Sequence, residues 1–258
     1  MSREDWDRDI TSIRFALRTF KKQEAAFRYV NRINRLRYAK KQTLMPVFAK
    51  ECSSGGYRYF VAEDVDTFYK KYIRMKPFDR AFYEILRAGL PCRLYFDIEY
   101  CRVLNPDRDG EIAMGLFRDV LSNYLQAFFG FGISSTFTPG DHGATLVECD
   151  ASDDKKFSRH LVVVFPKEFV FRNTDDVGIF VKSLSDRITR IAALDIVDES
   201  LLTNDAGLMR QFFFRKKNKQ GVVMSVLFID HSVYKRNKNV RLPLSAKFDE
   251  LGARHFNI

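Results

Sequence analysis

Two runs of this chain alternate or saturate their apolar residues as strands do, and a helical stripe separates them. In Arg93-Leu94-Tyr95-Phe96-Asp97-Ile98-Glu99, Leu94, Phe96 and Ile98 take one side and Asp97 and Glu99 the other. Phe157 to Phe165 is apolar and β-branched enough for a buried strand. Between them, Glu111 to Phe128 sets Ile112, Leu116, Val120, Tyr124 and Phe128 on one helical stripe. A chain that must pack such strands against such a helix is α+β, with a sheet covered on one face.

The rest of the sequence extends that pattern. Pro46 to Lys50 and Tyr57 to Ala62 read as a hairpin around Ser53-Ser54-Gly55-Gly56, and Asp64 to Arg74 and Phe78 to Leu86 as helices. Asn173 or Thr174 caps a helix running to about Leu194. Leu208 to Arg215 and Gly221 to Asp230 read as two strands around the basic turn Lys216 to Gln220, which makes an RRM-like core from residue 93 onward the expectation. We divide the chain into a basic helical segment (1–42), a small α/β module (43–90) and a catalytic module (91–258) that together form one unit.

Of a formal net charge of +10, +9 lies between Ser12 and Gln42, where ten basic residues face the single acid Glu24. Phe20, Phe27, Val30 and Ile33 are interleaved at helical spacing, so one or two helices with an outward basic face are expected. Such a face is either a solvated surface or a contact for polyanion phosphates, nucleic acid first among them. No apolar run reaches the roughly 18 residues of a membrane span, and the N-terminus lacks an apolar signal region, so the expectation is a soluble, intracellular protein without membrane partners. The four cysteines and four histidines show no zinc spacing, and no zinc is expected in this chain.

Three clusters carry chemistry. Asp97 and Glu99 project from one strand face with Cα atoms roughly 7 Å apart, close enough to share hard divalent cations; salt bridges to Arg93 or neighbouring lysines are the plainer alternative. Lys156, Ser158 and His160 form a row of donors suited to phosphate oxygens. Asp230, where an apolar run stops, is either a third acid or a turn residue at a strand end. Three such acids are what two-metal nucleotidyl transfer needs, with Lys238, Arg241 and Lys247 placed to bind phosphates.

Together these strings resemble the archaeo-eukaryotic primase superfamily, and within it the eukaryotic primase-polymerases, over roughly residues 15 to 247. CRLYFDIEY (Cys92 to Tyr100) is similar to the family's metal-binding strand, KFSRHLVVVF (Lys156 to Phe165) to its nucleotide-binding motif, and FIDHSVYKRNKNVRL (Phe228 to Leu242) to its third motif. The resemblance implies an archaeo-eukaryotic primase fold, with a small α/β N-terminal module and an RRM-like C-terminal module flanking an active-site cleft. It implies that Asp97, Glu99 and Asp230 are catalytic metal ligands for two divalent cations, Mn²⁺ or Mg²⁺. Lys156, Ser158, His160, Arg241 and Lys247 match residues on the incoming nucleotide's phosphates, Arg58 an active-site arginine, and Tyr83 a tyrosine near the sugar. Lys238 stands where an arginine is usual.

The implied activity is DNA-directed primase-polymerase chemistry, adding deoxynucleotides or ribonucleotides to a primer on a single-stranded DNA template, with priming and damage tolerance as associated roles. The implied location is nucleus, mitochondrion or both, and a monomer is expected. Family members often continue into a zinc module and an acidic tail that binds single-strand-binding protein; the sequence ends at Ile258 without either, so the expectation is a catalytic core lacking that partner's docking region. Two other readings remain: a noncatalytic RRM-like binder, for which the RNP-type string is absent, and a metal-dependent nuclease, disfavoured because Tyr100 and Cys101 rather than a lysine follow Glu99.

Overall fold

The computed structural model describes residues 17–52, 56–134, 143–166, 169–193, 205–247 and 254–255. The chain divides into two compact units, one of residues up to 86 joined by residues from 237 onward, the other of residues 87–236. The first sixteen residues of the basic segment, Arg14 among them, lie outside the described residues.

The first unit is a five-stranded antiparallel sheet with a helix on each face. Its strands are β1 (Arg18–Phe20), β2 (Val47–Glu51), β3 (Arg58–Ala62), β4 (Phe82–Leu86) and β10 (Lys238–Arg241), in the order β1-β3-β2-β4-β10. The two-residue period sorts the core. Val47, Ala49, Ala62, Tyr83 and Ile85 pack with Ala26 and Val30 of helix α1 (Gln23–Ala39), while Phe48, Tyr59, Val61 and Phe82 pack with Phe68 and Tyr72 of helix α2 (Val65–Tyr72). Ser245, fully buried, ties the returning chain down: its Oγ accepts from the Phe82 N–H at 2.9 Å and lies 3.0 Å from the Tyr72 hydroxyl.

Two expectations change here. Phe78 to Leu86 is not helical; a 3₁₀ turn at Pro77–Asp79 leads into β4. Phe82, Ile85 and Leu86 have helical spacing, but a central strand buried on both faces shows the same apolar density, and pairing with both β2 and β10 decides the matter. Arg18–Phe20, expected in a basic helix, is an edge strand on β3.

The second unit is built on a three-stranded antiparallel sheet in the order β5-β7-β6, from β5 (Leu94–Cys101), β6 (Thr145–Asp150) and β7 (Lys156–Val164). Helix α3 (Gly110–Phe129) starts at Asp109, whose carboxylate accepts from the Glu111 and Ile112 N–H groups, and ends at Gly130 in the left-handed region. Its buried stripe is Met114, Phe117, Leu121 and Leu125; Ile112 and Phe128, expected inside, are exposed. Phe117 sits edge-on to Phe96, Phe212 and Phe228. Helix α4 (Thr174–Ala192) is capped by Asn173. Leu208 to Arg215 divides into a short helix, α5 (Asp205–Arg210), and β8 (Phe213–Lys217), which forms a ribbon with β9 (Val223–Leu227). Two short strands, β11 (Ala246–Lys247) and β12 (Arg254–His255), pair near the C-terminus.

The entry to α3 is tight. A Cβ on Gly110 would lie 2.3 Å from Cε2 of Phe157, a ring stacked on Tyr100 with centroids 5.0 Å apart. Gly110→Ala is therefore expected to cost about 1–3 kcal/mol through overpacking. Urea denaturation measures it, and an unchanged midpoint would show that the ring gives way freely.

Candidate active site

The antiparallel register of β5 on β7 sets the two motifs opposite one another. Asp97 faces His160, Glu99 faces Ser158 and Cys101 faces Lys156. Directly paired residues share a sheet face, so the two acids and the three donors form adjacent rows on one side. On the reverse side Phe96, Ile98, Phe157, Leu161 and Val163 are buried.

The third acid arrives on the other edge of β5. Ile229 bridges Ile98, the Asp230 N–H donates to the Asp97 carbonyl at 2.8 Å, and the Glu99 N–H donates to the Phe228 carbonyl at 2.9 Å. Asp230 thus stands beside Asp97 across the strand gap. The apolar run before it is fixed by Phe228, which stacks with Phe212 and Phe214. Behind it, the Tyr95 hydroxyl donates to the Val233 carbonyl and the Tyr234 hydroxyl to the Tyr95 carbonyl; burial pushes the Tyr234 phenol well above its ordinary range, so it stays a donor.

Each acid has a partner. Lys156 Nζ forms an ion pair with Glu99 Oε2, and His160 Nε2 lies 3.2 Å from Asp97 Oδ1. Asp230 caps a 3₁₀ turn, accepting from the Ser232 N–H at 2.8 Å and from its hydroxyl at 2.7 Å. Both plainer alternatives read from the sequence are therefore present: Glu99 has a neighbouring lysine, and Asp230 is a turn residue at a strand end. Among the described residues no three Asp, Glu, His or Cys side chains close into a ligand group. The donor set nonetheless fits a hard divalent cation, because it offers carboxylate oxygens from three adjacent backbone positions.

A separate cationic cluster lies in the first unit. Glu51 opposes Arg58, Ala49 opposes Tyr83, and Tyr83 opposes Arg241, which puts Glu51, Arg58, Tyr83 and Arg241 on one sheet face. The Tyr83 hydroxyl donates to Glu51 Oε2 at 2.7 Å, Arg58 Nη2 lies 3.4 Å from Glu51 Oε1, and the Arg58 guanidinium sits 4.6 Å over the Tyr83 ring. Arg241 lies 5.9 Å from the same ring. Burial first, and then the bond to Glu51, raise the Tyr83 pKa.

Tyr83 is a core residue, 7% exposed, with its hydroxyl engaged. Glu51, buried between Arg58 and Tyr83, was not foreseen; an acid closing a hairpin opposite an arginine was its one sequence signal. Lys238 opposes Leu86, three residues from Arg241, and so projects from the opposite face. Lys247 lies on β11. In helix α1, Arg28, Arg32 and Arg35 form an exposed stripe, whereas Arg37 is bound to Asp64.

The Lys156–Glu99 pair places a positive charge where a cation would bind. Its members are 45% and 31% exposed, a setting in which a pair is worth about 1 kcal/mol or less. Lys156→Ala is expected to tighten Mn²⁺ binding by up to roughly fivefold, measured by isothermal titration without nucleotide. Weaker binding would show that Lys156 does not compete for Glu99.

No family model matches the chain. It is 24% identical to the DNA-directed primase/polymerase protein of Danio rerio over 252 residues, which is 92% of this chain and 44% of that protein. The Mus musculus protein of that name is 25% identical over 226 residues (78% and 40%), and the Homo sapiens one 30% over 139 residues (54% and 23%). The chain therefore spans less than half the length of these relatives. Among the described residues no helix is long and apolar enough to cross a membrane. Over most of its own length, then, the chain is similar to the DNA-directed primase/polymerase proteins and is PrimPol-like.

Proposed function

We propose that this chain is a template-directed nucleotidyltransferase with an archaeo-eukaryotic primase fold and an RRM-like second unit. It extends a primer on single-stranded DNA, and can act in priming and damage tolerance. The observation that carries the proposal is the register: Asp97 and Glu99 stand on one sheet face, with His160 and Ser158 opposite them and Asp230 alongside. Strand pairing that only buried a core would not need three acids and three donors on one patch.

In this reading Asp97, Glu99 and Asp230 hold two divalent cations, Mn²⁺ or Mg²⁺. Bound there, the cations supply the charge that lowers the pKa of a primer 3′-hydroxyl and offsets the leaving pyrophosphate. Lys156, Ser158 and His160 donate to the phosphates of the incoming nucleotide, and Lys156 exchanges Glu99 for a phosphate oxygen. Arg58, Arg241 and Lys247 are assigned to nucleotide phosphates, whereas Lys238, on the opposite sheet face from Arg241, is not grouped with them. Tyr83, with its hydroxyl on Glu51, holds the guanidinium of Arg58 in place. Template base pairing selects the nucleotide; the protein supplies orientation and charge.

The exposed stripe Arg28, Arg32 and Arg35 is assigned to the template backbone. Helix α1 also buries Ala26 and Val30 in the core, so deleting it would unfold the unit rather than test the surface. Changing the three arginines to Gln is expected to weaken single-strand binding and lower its log–log salt slope by about 2. An unchanged slope would mark the stripe as a solvated face.

Asp97→Ala or Glu99→Ala is expected to abolish extension of a labelled primer with Mg²⁺ or Mn²⁺ while single-strand binding persists. Turnover retained in either variant would remove the metal assignment. Tight DNA binding without incorporation by the unsubstituted chain would favour a noncatalytic binder.

A further inference from the structure

At the Glu99–Cys101 end of β5 lies a cavity of about 450 Å³, walled on one side by the β8–β9 ribbon. Its lining includes Glu99, Lys155, Lys156, Arg215, Lys216 and Lys217, so five cations face one acid. Glu99 is already paired with Lys156, and Asp107 with Arg215. Among the described residues no carboxylate lies within ion-pair distance of Lys155, Lys216, Lys217 or Lys219, and all four are exposed. Like charges gathered on one surface raise the local positive potential and draw anions to it.

The ribbon is held firmly at its base. Asn105, 2% exposed, donates from Nδ2 to the Cys101 and Arg215 carbonyls at 2.8 and 3.0 Å, and its Oδ1 accepts from the Arg215 N–H at 2.7 Å. The amide thus does the work of a ladder rung between the end of β5 and the start of β8. Phe214 adds a stack on Tyr100, with centroids 4.0 Å apart, which turns the face shared by Phe214 and Lys216 toward β5. The tip is ordered as well. Asn218 Oδ1 accepts from the Gln220 and Val222 N–H groups, and Gly221 takes φ +81°, a conformation costly for any other residue.

We propose that the β8–β9 ribbon, together with Lys155, is a phosphodiester-binding arm that grips the nucleic-acid backbone next to the carboxylate row. The inference rests on the primase-polymerase reading and adds a contact element to it. Lys216, Lys217 and Lys219 are strung along at most roughly 10 Å of ribbon and turn. A line of cations matches the regular charges of a nucleic-acid strand, whereas a triphosphate calls for donors converging on one point. On the facing strand Val222, Val223 and Met224 are 58%, 48% and 46% exposed, an apolar edge suited to sugar contacts beside the charges.

The test compares the unsubstituted chain with Lys216→Ala/Lys217→Ala/Lys219→Ala and with the same three positions changed to Arg. A fluorescein-labelled primer–template duplex is titrated by anisotropy in EDTA across a salt series. Binding of a fluorescent nucleoside triphosphate is measured separately with Mg²⁺. The alanine variant is expected to bind duplex at least roughly tenfold more weakly, with a salt slope lower by about 3. The arginine variant should retain both values, and triphosphate affinity should not move. The tip is exposed, and circular dichroism verifies that the variants fold. Unchanged duplex affinity and slope in the alanine variant would overturn the inference and leave the polymerase reading intact, as would a loss confined to triphosphate, which would reassign the lysines to the nucleotide. Failure of the unsubstituted chain to bind duplex at all would overturn both.

Discussion

The register of β5 on β7 is the constraint on which the second unit depends. A slip by one residue would turn Asp97 and Glu99 into the core and expose Phe96 and Ile98. The apolar face alone resists this, and a buried charge reinforces it. The side chain of Arg159, 8% exposed, bonds to Glu148 at 2.9 Å and to Asp150 and Glu111, and lies 4.6 Å from the Phe157 ring. An arginine removed from water is tolerable only when such partners meet it. Its partners lie on β6 and at the start of α3, so it fixes β7 against those two elements, and β5 then has one apolar face to match. The reverse side of the sheet therefore holds the row of acids in place without touching it.

The same ladder balances the charges it brings together. Asp97, Glu99 and Asp230 at neighbouring positions would repel one another, and the opposing strand supplies Lys156 and His160 as nearby positive or polar partners. Such a site is stable as it stands and can exchange its cationic partner for another, because the Lys156–Glu99 pair is partly exposed and costs little to open. Asp230 is held differently. Its carboxylate is bound to the Ser232 N–H and hydroxyl, so its orientation is set by a local turn while its backbone is set by β5.

What could be read in the sequence was what one strand determines by itself. Period 2 put Asp97 with Glu99, and Lys156 with Ser158 and His160, on shared faces, and the structure keeps them there. Which strands are neighbours depends on contacts far apart in sequence, and there the reading ran out. Phe82 to Leu86 has apolar residues at spacings that suit a helix, and only the arrival of Lys238 to Arg241, some 150 residues later, makes it a central strand. Strand β6 escaped notice because Glu148 and Asp150 interrupt its apolar pattern, although they are the acids that receive Arg159. Glu51 became visible only once its hairpin partner Arg58 and the Tyr83 hydroxyl stood beside it.

Net charge misleads in a related way, since a sequence counts charges without showing which are already engaged. In the basic segment, Arg37 is bound to Asp64, whose carboxyl pKa is lowered chiefly by that bond, and Arg18 lies 4.5 Å over the Tyr29 ring. Among the described residues, what remains for a polyanion is the outward stripe of Arg28, Arg32 and Arg35 with the exposed Lys21, Lys22, Lys40 and Lys41 at the ends of the helix. The β8–β9 ribbon, in the part of the chain that outside residues 12–42 sums to only +1, holds Lys216, Lys217 and Lys219 with no acid among the described residues to meet them. The two surfaces differ in proportion: arginines, whose guanidinium forks can fix two phosphate oxygens at once, make up the middle of the helix α1 stripe, whereas lysines, which act as point charges, predominate on the ribbon beside the single Arg215.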